Sequence, residues 1–193
     1  MILIINNHGQ YVHRIWRSMN YLSEKSEIIP NTAAVTEIKE KNPSGIIFSG
    51  GPYSVYEDKD KLKNCNEILN FCFNSQTPVL GICLGHQLIT QFFGGTVSRG
   101  EKAEYAQTEI TVCEENDLFK ALDRKLIVWE SHKDEVTKLP ENFECLASSE
   151  ICLFEAIKHN EKPIYGVQFH PEVDHTPKGL EILKNFLCVC KAK

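Results

Sequence analysis

The stretch Pro78-Val79-Leu80-Gly81-Ile82-Cys83-Leu84-Gly85-His86-Gln87 sets an apolar run against a cysteine flanked by glycines. Val79–Ile82 reads as a buried strand that stops at Cys83, and a helix over His86–Phe93 follows, closed by Gly94-Gly95. Glycines on either side of a nucleophile permit a sharp, strained turn from strand to helix. Such a turn holds the sulfur out at the strand's C-terminal end, where open α/β sheets place their chemistry. It also points the sulfur at a helix N-terminus, whose N–H groups favour thiolate over thiol. The competing reading is a buried structural cysteine, the commoner fate of this residue type.

Working outward, the first half alternates strands and helices. Ile2–Ile5 reads as a strand, and Val12, Ile15, Trp16 and Met19 mark the apolar face of a helix. Glu27-Ile28-Ile29 is a short strand ending at Pro30, Thr36–Lys41 a brief helix stopped by Asn42-Pro43, and Gly45–Phe48 a buried strand running into Ser49-Gly50-Gly51-Pro52. Leu62–Phe73 is helical, and Tyr53–Lys63 is expected to be a mobile surface loop. Shorter strands fill the second half: Thr96–Ser98, Glu109–Cys113, Leu126–Trp129, Phe143–Ala147, Leu153–Lys158 and Ile164–Phe169. A closing helix, Gly179–Cys190, turns Leu180, Leu183 and Leu187 inward. The expected fold is α/β: an open, mostly parallel central sheet flanked by helices, with a smaller antiparallel portion, built as a single domain over residues 1–193.

The strand Ile164–Phe169 delivers a second chemical group in Gly166-Val167-Gln168-Phe169-His170-Pro171-Glu172. Proline disfavours helical geometry at the residue before it, so His170 is expected to be extended. Side chains two apart on an extended chain share a side, so Glu172 can receive one imidazole N–H while the other nitrogen faces a thiol. Cys83, His170 and Glu172 thus form a nucleophile, base and orienter. Alone, His-Pro-Glu reads better as a surface loop, and it is the Cys83 turn that favours the catalytic reading.

Composition excludes several function classes. Of 193 residues 42% are hydrophobic and 24% charged, enough for a core in a soluble protein. A net charge of −5 argues against a nucleic-acid or anionic-membrane surface. No apolar run approaches the roughly 20 residues of a membrane span. Met1-Ile2-Leu3-Ile4-Ile5 lacks a basic leader, so a cytoplasmic protein is expected. The eight cysteines form no Cys-x-x-Cys pair. Cys65 and Cys72 fall on a helical stripe with Leu62, Ile68, Leu69 and Phe73, and Cys113, Cys145 and Cys152 are expected to pack as small hydrophobes. A disulfide framework is allowed by count but not expected without a signal peptide, and zinc does not fit these spacings. His86, His132, His170 and His175 include no pair at a metal-ligand spacing, so no metal is expected.

Together, the Cys83 turn and His170-Pro171-Glu172 resemble the class I (triad-type) glutamine amidotransferases, over nearly the whole chain. Ser49-Gly50-Gly51-Pro52 is similar to that family's glycine loop and Ser131-His132-Lys133-Asp134 to its Ser-His-x-Asp segment. Within the family the likeness is greatest to the branch serving GMP synthetases. It rests on Asn7-His8-Gly9-Gln10-Tyr11 with His13-Arg14-Ile15, on Ser131–Val136, and on His170-Pro171-Glu172-Val173-Asp174-His175-Thr176. Two departures stand near the start: Asn6 where the family commonly has Asp, and His8 where it commonly has Gly.

The resemblance implies attack of Cys83 on the side-chain amide of glutamine, with His170 as base and Glu172 as its orienter. The Leu84 N–H, just after the nucleophile, is one candidate oxyanion donor, and the resemblance supplies Gly51 N–H as the second. Gln87 and the Ser131-His132 backbone are expected to hold the amino-acid end, from loop or helix-start positions, and Ser131 and Asp134 read equally well as caps. Asp134 is also a candidate partner contact. No cofactor is expected in this chain. The implied partner is a separate ATP-pyrophosphatase synthetase subunit, holding ATP and Mg and converting XMP to GMP with the ammonia released here. Open alternatives are another amidotransferase branch (anthranilate, aminodeoxychorismate or CTP type), a cysteine hydrolase using the same turn, and an inactive regulatory subunit.

Overall fold

The computed structural model describes residues 1–114 and 116–192. Residue 115 and the last residue, where the expected domain ends, lie outside it, as do the side chains of residues 63 and 101. Five strands form the parallel part of the main sheet: β1 (Ile2–Asn6), β2 (Ser26–Pro30), β3 (Gly45–Phe48), β4 (Val79–Ile82) and β11 (Ile164–Val167). Four more extend it in antiparallel fashion: β6 (Gln107–Val112), β7 (Lys125–Trp129), β9 (Phe143–Ser148) and β10 (Ala156–His159). The order is β2-β1-β3-β4-β11-β10-β9-β6-β7. A two-stranded ribbon of β5 (Thr96–Glu104) and β8 (His132–Lys138) stands apart from it.

Both faces of the parallel part are covered, which is why its strands read as unbroken apolar runs. Ile2 and Ile4 point to one side with Ile47, Leu80 and Val167, where α1 (Val12–Tyr21) and α5 (Gly179–Lys191) pack. Leu3 and Ile5 point to the other with Ile46, Phe48, Val79 and Ile164, under α2 (Val35–Lys41), α3 (Lys63–Ser75) and α4 (Leu84–Phe92). Among the described residues, no helix is long and apolar enough to cross a membrane.

Several expectations need correction. Trp16 and Leu180 are each 42% exposed. On α1 the buried stripe centres on Ile15, with Ser18 inside, and Trp16 lies about 100° further round the helix. On α5 the stripe runs Gly179, Ile182, Leu183, Phe186, Leu187 and Cys190, so Leu180 falls beside it for the same reason. Cys113 is exposed and Cys145 half-buried, whereas Cys152 is buried. Ile110 and Val112 face the core, so alternation turns Cys113 to the open side. Leu153 is exposed, and its strand begins only at Ala156. The Tyr53–Lys63 loop is pinned by Val55 and Leu62, each 1% exposed, and includes a 3₁₀ turn over Lys59–Leu62. Residues 131–134 supply no helix cap: His132 opens β8.

His86 on α4 is fully enclosed, and burial together with the nearby His132 pushes its pKa down to about 3. Unfolded, the same imidazole binds a proton near pH 6.5. The unfolded chain therefore binds more protons between these values, and the stability that neutral His86 contributes is lost as pH falls from about 6.5 to about 3. His86→Leu should flatten the stability slope across that window by up to about 1.4 kcal/mol per pH unit, read from urea midpoints at pH 7, 5 and 4.

Candidate active site

β4 ends at Ile82, and Cys83 takes φ 52° and ψ −104° before α4 begins at Leu84. A non-glycine residue there carries roughly 1–3 kcal/mol of strain and survives only where its surroundings over-determine it. Two surroundings do so. The Cys83 N–H donates to the Val167 carbonyl at 2.8 Å, fixing the turn to β11. Gly81 and Gly85 let the main chain close on itself: a Cβ on Gly85 would fall inside the Phe48 carbonyl, and one on Gly81 inside the Gly85 peptide.

Three residues beyond β11 stands His170, whose N–H donates to the Trp129 carbonyl at 2.9 Å. Its Nδ1 meets Glu172 Oε1 at 2.8 Å, which leaves Nε2 on the side of the Cys83 thiol: a Cβ added at Gly50 would lie 3.6 Å from Cys83 Cβ and 3.9 Å from His170 Nε2. Both His170 and Glu172 are buried. Burial opposes charge on the imidazole, yet the Glu172 carboxylate and the Cys83 sulfur outweigh it and hold the His170 pKa well above the ordinary histidine range. The Tyr11 ring stands edge-on to the imidazole, with centroids 4.9 Å apart.

Cys83 sits where two cavities meet. One, of about 320 Å³, runs past His170 and Glu172 to the His8–Val12 segment. The other, of about 270 Å³, is lined by Gly51, Leu84, Gln87, Ser131 and His132. Tyr105, 56% exposed, stands on the rim of both. Among the described residues, no group of three or more His, Cys, Asp or Glu side chains could hold a metal ion.

The family model described as Glutamine amidotransferase class-I matches residues 3–190. The chain belongs to this family. It is 58% identical over 190 residues to a subunit of the glutamine-hydrolysing GMP synthase of Pyrococcus abyssi, covering 98% of each chain. To the same-named protein of Methanocaldococcus jannaschii it is 56% identical over 194 residues, covering 100% of this chain and 99% of the relative. A crystal structure from Thermoplasma acidophilum, described provisionally as a GMP synthase subunit, superposes with a TM-score of 0.92 at 35% identity, covering 99% of this chain and 94% of that one.

Gly51, Leu84, Gln87, Ser131 and His132, the residues expected to meet glutamine, all border the second cavity. Gly51 is required by packing, since a Cβ there would strike the Asn7 carbonyl and approach Leu84 Cδ2 to 2.8 Å. Gln87 is buried in α4, its Nε2 donating to the Asp134 carbonyl at 2.6 Å and to Gln168 Oε1 at 3.1 Å. Both N–H groups are thereby committed, and Oε1 is what Gln87 can offer a ligand. The Ser131 carbonyl accepts the Cys83 S–H at 3.8 Å. His132, whose ring is buried, also lines this cavity. Asp134 Oδ1 accepts the Tyr56 hydroxyl at 3.1 Å, tying the 53–63 loop to β8.

Both departures near the start have a local explanation. His8 adopts φ 66°, the conformation that favours the family's usual Gly, and Asn6 Oδ1 accepts the His8 N–H at 2.8 Å as an Asp would. Sequence reading did not single out Tyr11, Trp129 and Thr176 as site residues. The Thr176 hydroxyl accepts from Trp129 N–H at 2.9 Å and donates to the His170 carbonyl at 2.7 Å, so it stitches the His170 loop to β7. Replacing Glu172 with Gln removes the leading stabiliser of the imidazolium while leaving its burial intact. The His170 pKa should then fall to or below the usual range near 6.5, as followed by NMR titration of its Cε1 proton.

Proposed function

We propose that this chain is the glutaminase subunit of a GMP synthetase, acting as one glutamine amidotransferase domain in the cytoplasm. The observation that carries the reading is His170 set between the Cys83 thiol and the Glu172 carboxylate, with the strained turn aiming the sulfur into the cavities. Relatives at 56–58% identity are named as one lettered subunit of a GMP synthase, which supports both the acceptor branch and a separate partner chain.

Glutamine enters the second cavity with its side-chain amide at Cys83. The sulfur bonds to the amide carbon, the thiol proton passes to His170 Nε2, and the carbonyl electrons move onto oxygen. The N–H groups of Gly51 and Leu84 meet that oxyanion, and each such donor is worth about 3–4 kcal/mol of barrier. His170 returns the proton to nitrogen as the C–N bond breaks, releasing ammonia and leaving a glutamyl thioester. Water then adds, giving its proton to His170. The C–S bond breaks, the thiol is reprotonated, and glutamate leaves. Gln87 Oε1 and the main chain of Ser131 and His132 hold the α-amino and α-carboxylate groups, and Glu172 keeps the imidazole in register.

This chemistry draws on no cofactor in the chain. ATP and Mg belong to the partner, a synthetase subunit that activates XMP and takes up the ammonia to form GMP. Mixed with such a partner, XMP and ATP, the chain should support glutamine-dependent GMP formation, and Cys83→Ala should abolish it by at least about 10³-fold while ammonia-dependent formation persists. An active Cys83→Ala chain would sink the thioester route, and glutamine turnover unchanged by the partner and its nucleotides would sink the assignment to this branch.

A further inference from the structure

Behind the substrate cavity lies a cluster of ionisable groups for which the reaction above has no use. Glu130 and Glu155 are fully buried, and Glu104 and His132 are 6% and 5% exposed. His132 Nε2 faces Glu130 Oε2 at 3.2 Å and Glu104 Oε2 at 3.3 Å. His132 Nδ1 faces the Asp134 carbonyl at 3.1 Å, so Nδ1 carries a proton and donates it. A second proton must therefore sit between Nε2 and the carboxyl oxygens, for otherwise a lone pair would face two carboxylates. With every group in its ordinary ionisation state, both Glu130 oxygens, Glu104 Oε2 and His132 Nε2 lack a partner. Burial pushes Glu130 up to about 8 and Glu155 well above the usual carboxylate range, with the Glu104 carboxyl adding to the first and the Glu130 carboxyl to the second. The other titratable groups that interact with the cluster include His86 on α4, His170 on its loop, and Cys145 and Cys152 beside Glu155.

The main chain around Glu130 touches both reacting residues. The Trp129 carbonyl, just before it, accepts the His170 N–H, and the Ser131 carbonyl, just after it, accepts the Cys83 S–H. The Glu130 N–H donates to the Ala106 carbonyl at 2.9 Å, beside the rim residue Tyr105. His132 is paired in register with Glu104 across the β5–β8 ribbon.

We propose that Glu130 is a positioning residue: anchored by its Oε2 against His132 Nε2, it holds the Trp129–His132 segment and so sets Cys83 against His170. This rests on the reading of Cys83 and His170 as nucleophile and base. A neutral carboxylic acid in that place has a close mimic in glutamine, and none in alanine.

The test compares Glu130→Ala and Glu130→Gln with the native chain in complex with its synthetase subunit. Three readouts are taken: kcat and KM for glutamine, the pH profile of kcat, and the rate of iodoacetamide labelling at Cys83, resolved from the other cysteines by peptide mass mapping. Glu130→Ala should lose about 10²-fold in kcat, with KM changed far less, and should shift both the pH profile and the labelling rate. Glu130→Gln should recover to within about threefold, because it keeps the shape and hydrogen bonds of the neutral acid. If Glu130→Ala does not fold, Glu130→Asp, which withdraws the carboxyl by one methylene, should show a kcat loss of about tenfold with the same shift in profile. Native kinetics and labelling in Glu130→Ala, or in Glu130→Asp where that stands in, would overturn the proposal. So would a folded Glu130→Gln as impaired as the alanine variant. A native chain that neither turns over glutamine nor labels at Cys83 would instead overturn the underlying reading.

Discussion

The hydrogen bond from the Cys83 N–H to the Val167 carbonyl is the constraint on which the site depends. It continues the parallel ladder of β4 and β11, in which Ile82 faces Val167, one residue past the end of the strand. The ladder joins chain segments 85 residues apart, so the distance from nucleophile to base is set by strand register and not by any flexible loop. A slip of one residue would turn every side chain of β11 to the opposite face and carry His170 away with it. Burial of Ile82 and Val167 on the same face guards against that slip. The strain at Cys83 is tolerable for the same reason: the turn is held at both ends, by the ladder behind it and by α4 in front.

How legible this was in the sequence depended on where each signal resides. Strands buried on both faces announce themselves as runs such as Gly45–Phe48 and Val79–Ile82, and the structure has them at those bounds. The ribbon strand β8 did not announce itself, because His132-Lys133-Asp134-Glu135-Val136-Thr137-Lys138 buries its apolar content only at Val136. Its strand character comes from pairing with β5, a contact between distant segments that local composition does not encode. The faces of α1 and α5 were legible to within one residue of the helical wheel, and that one residue placed Trp16 and Leu180 outside.

The site divides in the same way. Cys83, His170 and Glu172 were readable because their chemistry is tied to local devices, glycines around one and a proline between the other two. Tyr11, Thr176 and Trp129 act through contacts between segments; Tyr11 and Thr176 lie in stretches that carried the resemblance, but no local device there reveals what they touch. His8 is a half-way case. Its left-handed backbone is invisible in the sequence, yet the usual glycine of the family at that place has the same physical cause.

The buried carboxyls raise a different question, since removing charges from water costs several kcal/mol each and adds nothing to stability unless they are well paired. Glu104 and Glu130 offset that cost by flanking an imidazole, and burial favours the protonated form of Glu130 and Glu155. An apolar core at this place would hold the sheet together equally well. It would not fix the direction of the β7–β8 connection, because apolar contacts are non-directional, whereas an imidazole with Nδ1 on one carbonyl and Nε2 between two carboxyls has one orientation. That connection carries the carbonyls that engage Cys83 and His170. A directional polar core under it gives angular definition to two groups whose chemistry tolerates little misplacement, and the desolvation cost falls on side chains that take no part in the reaction.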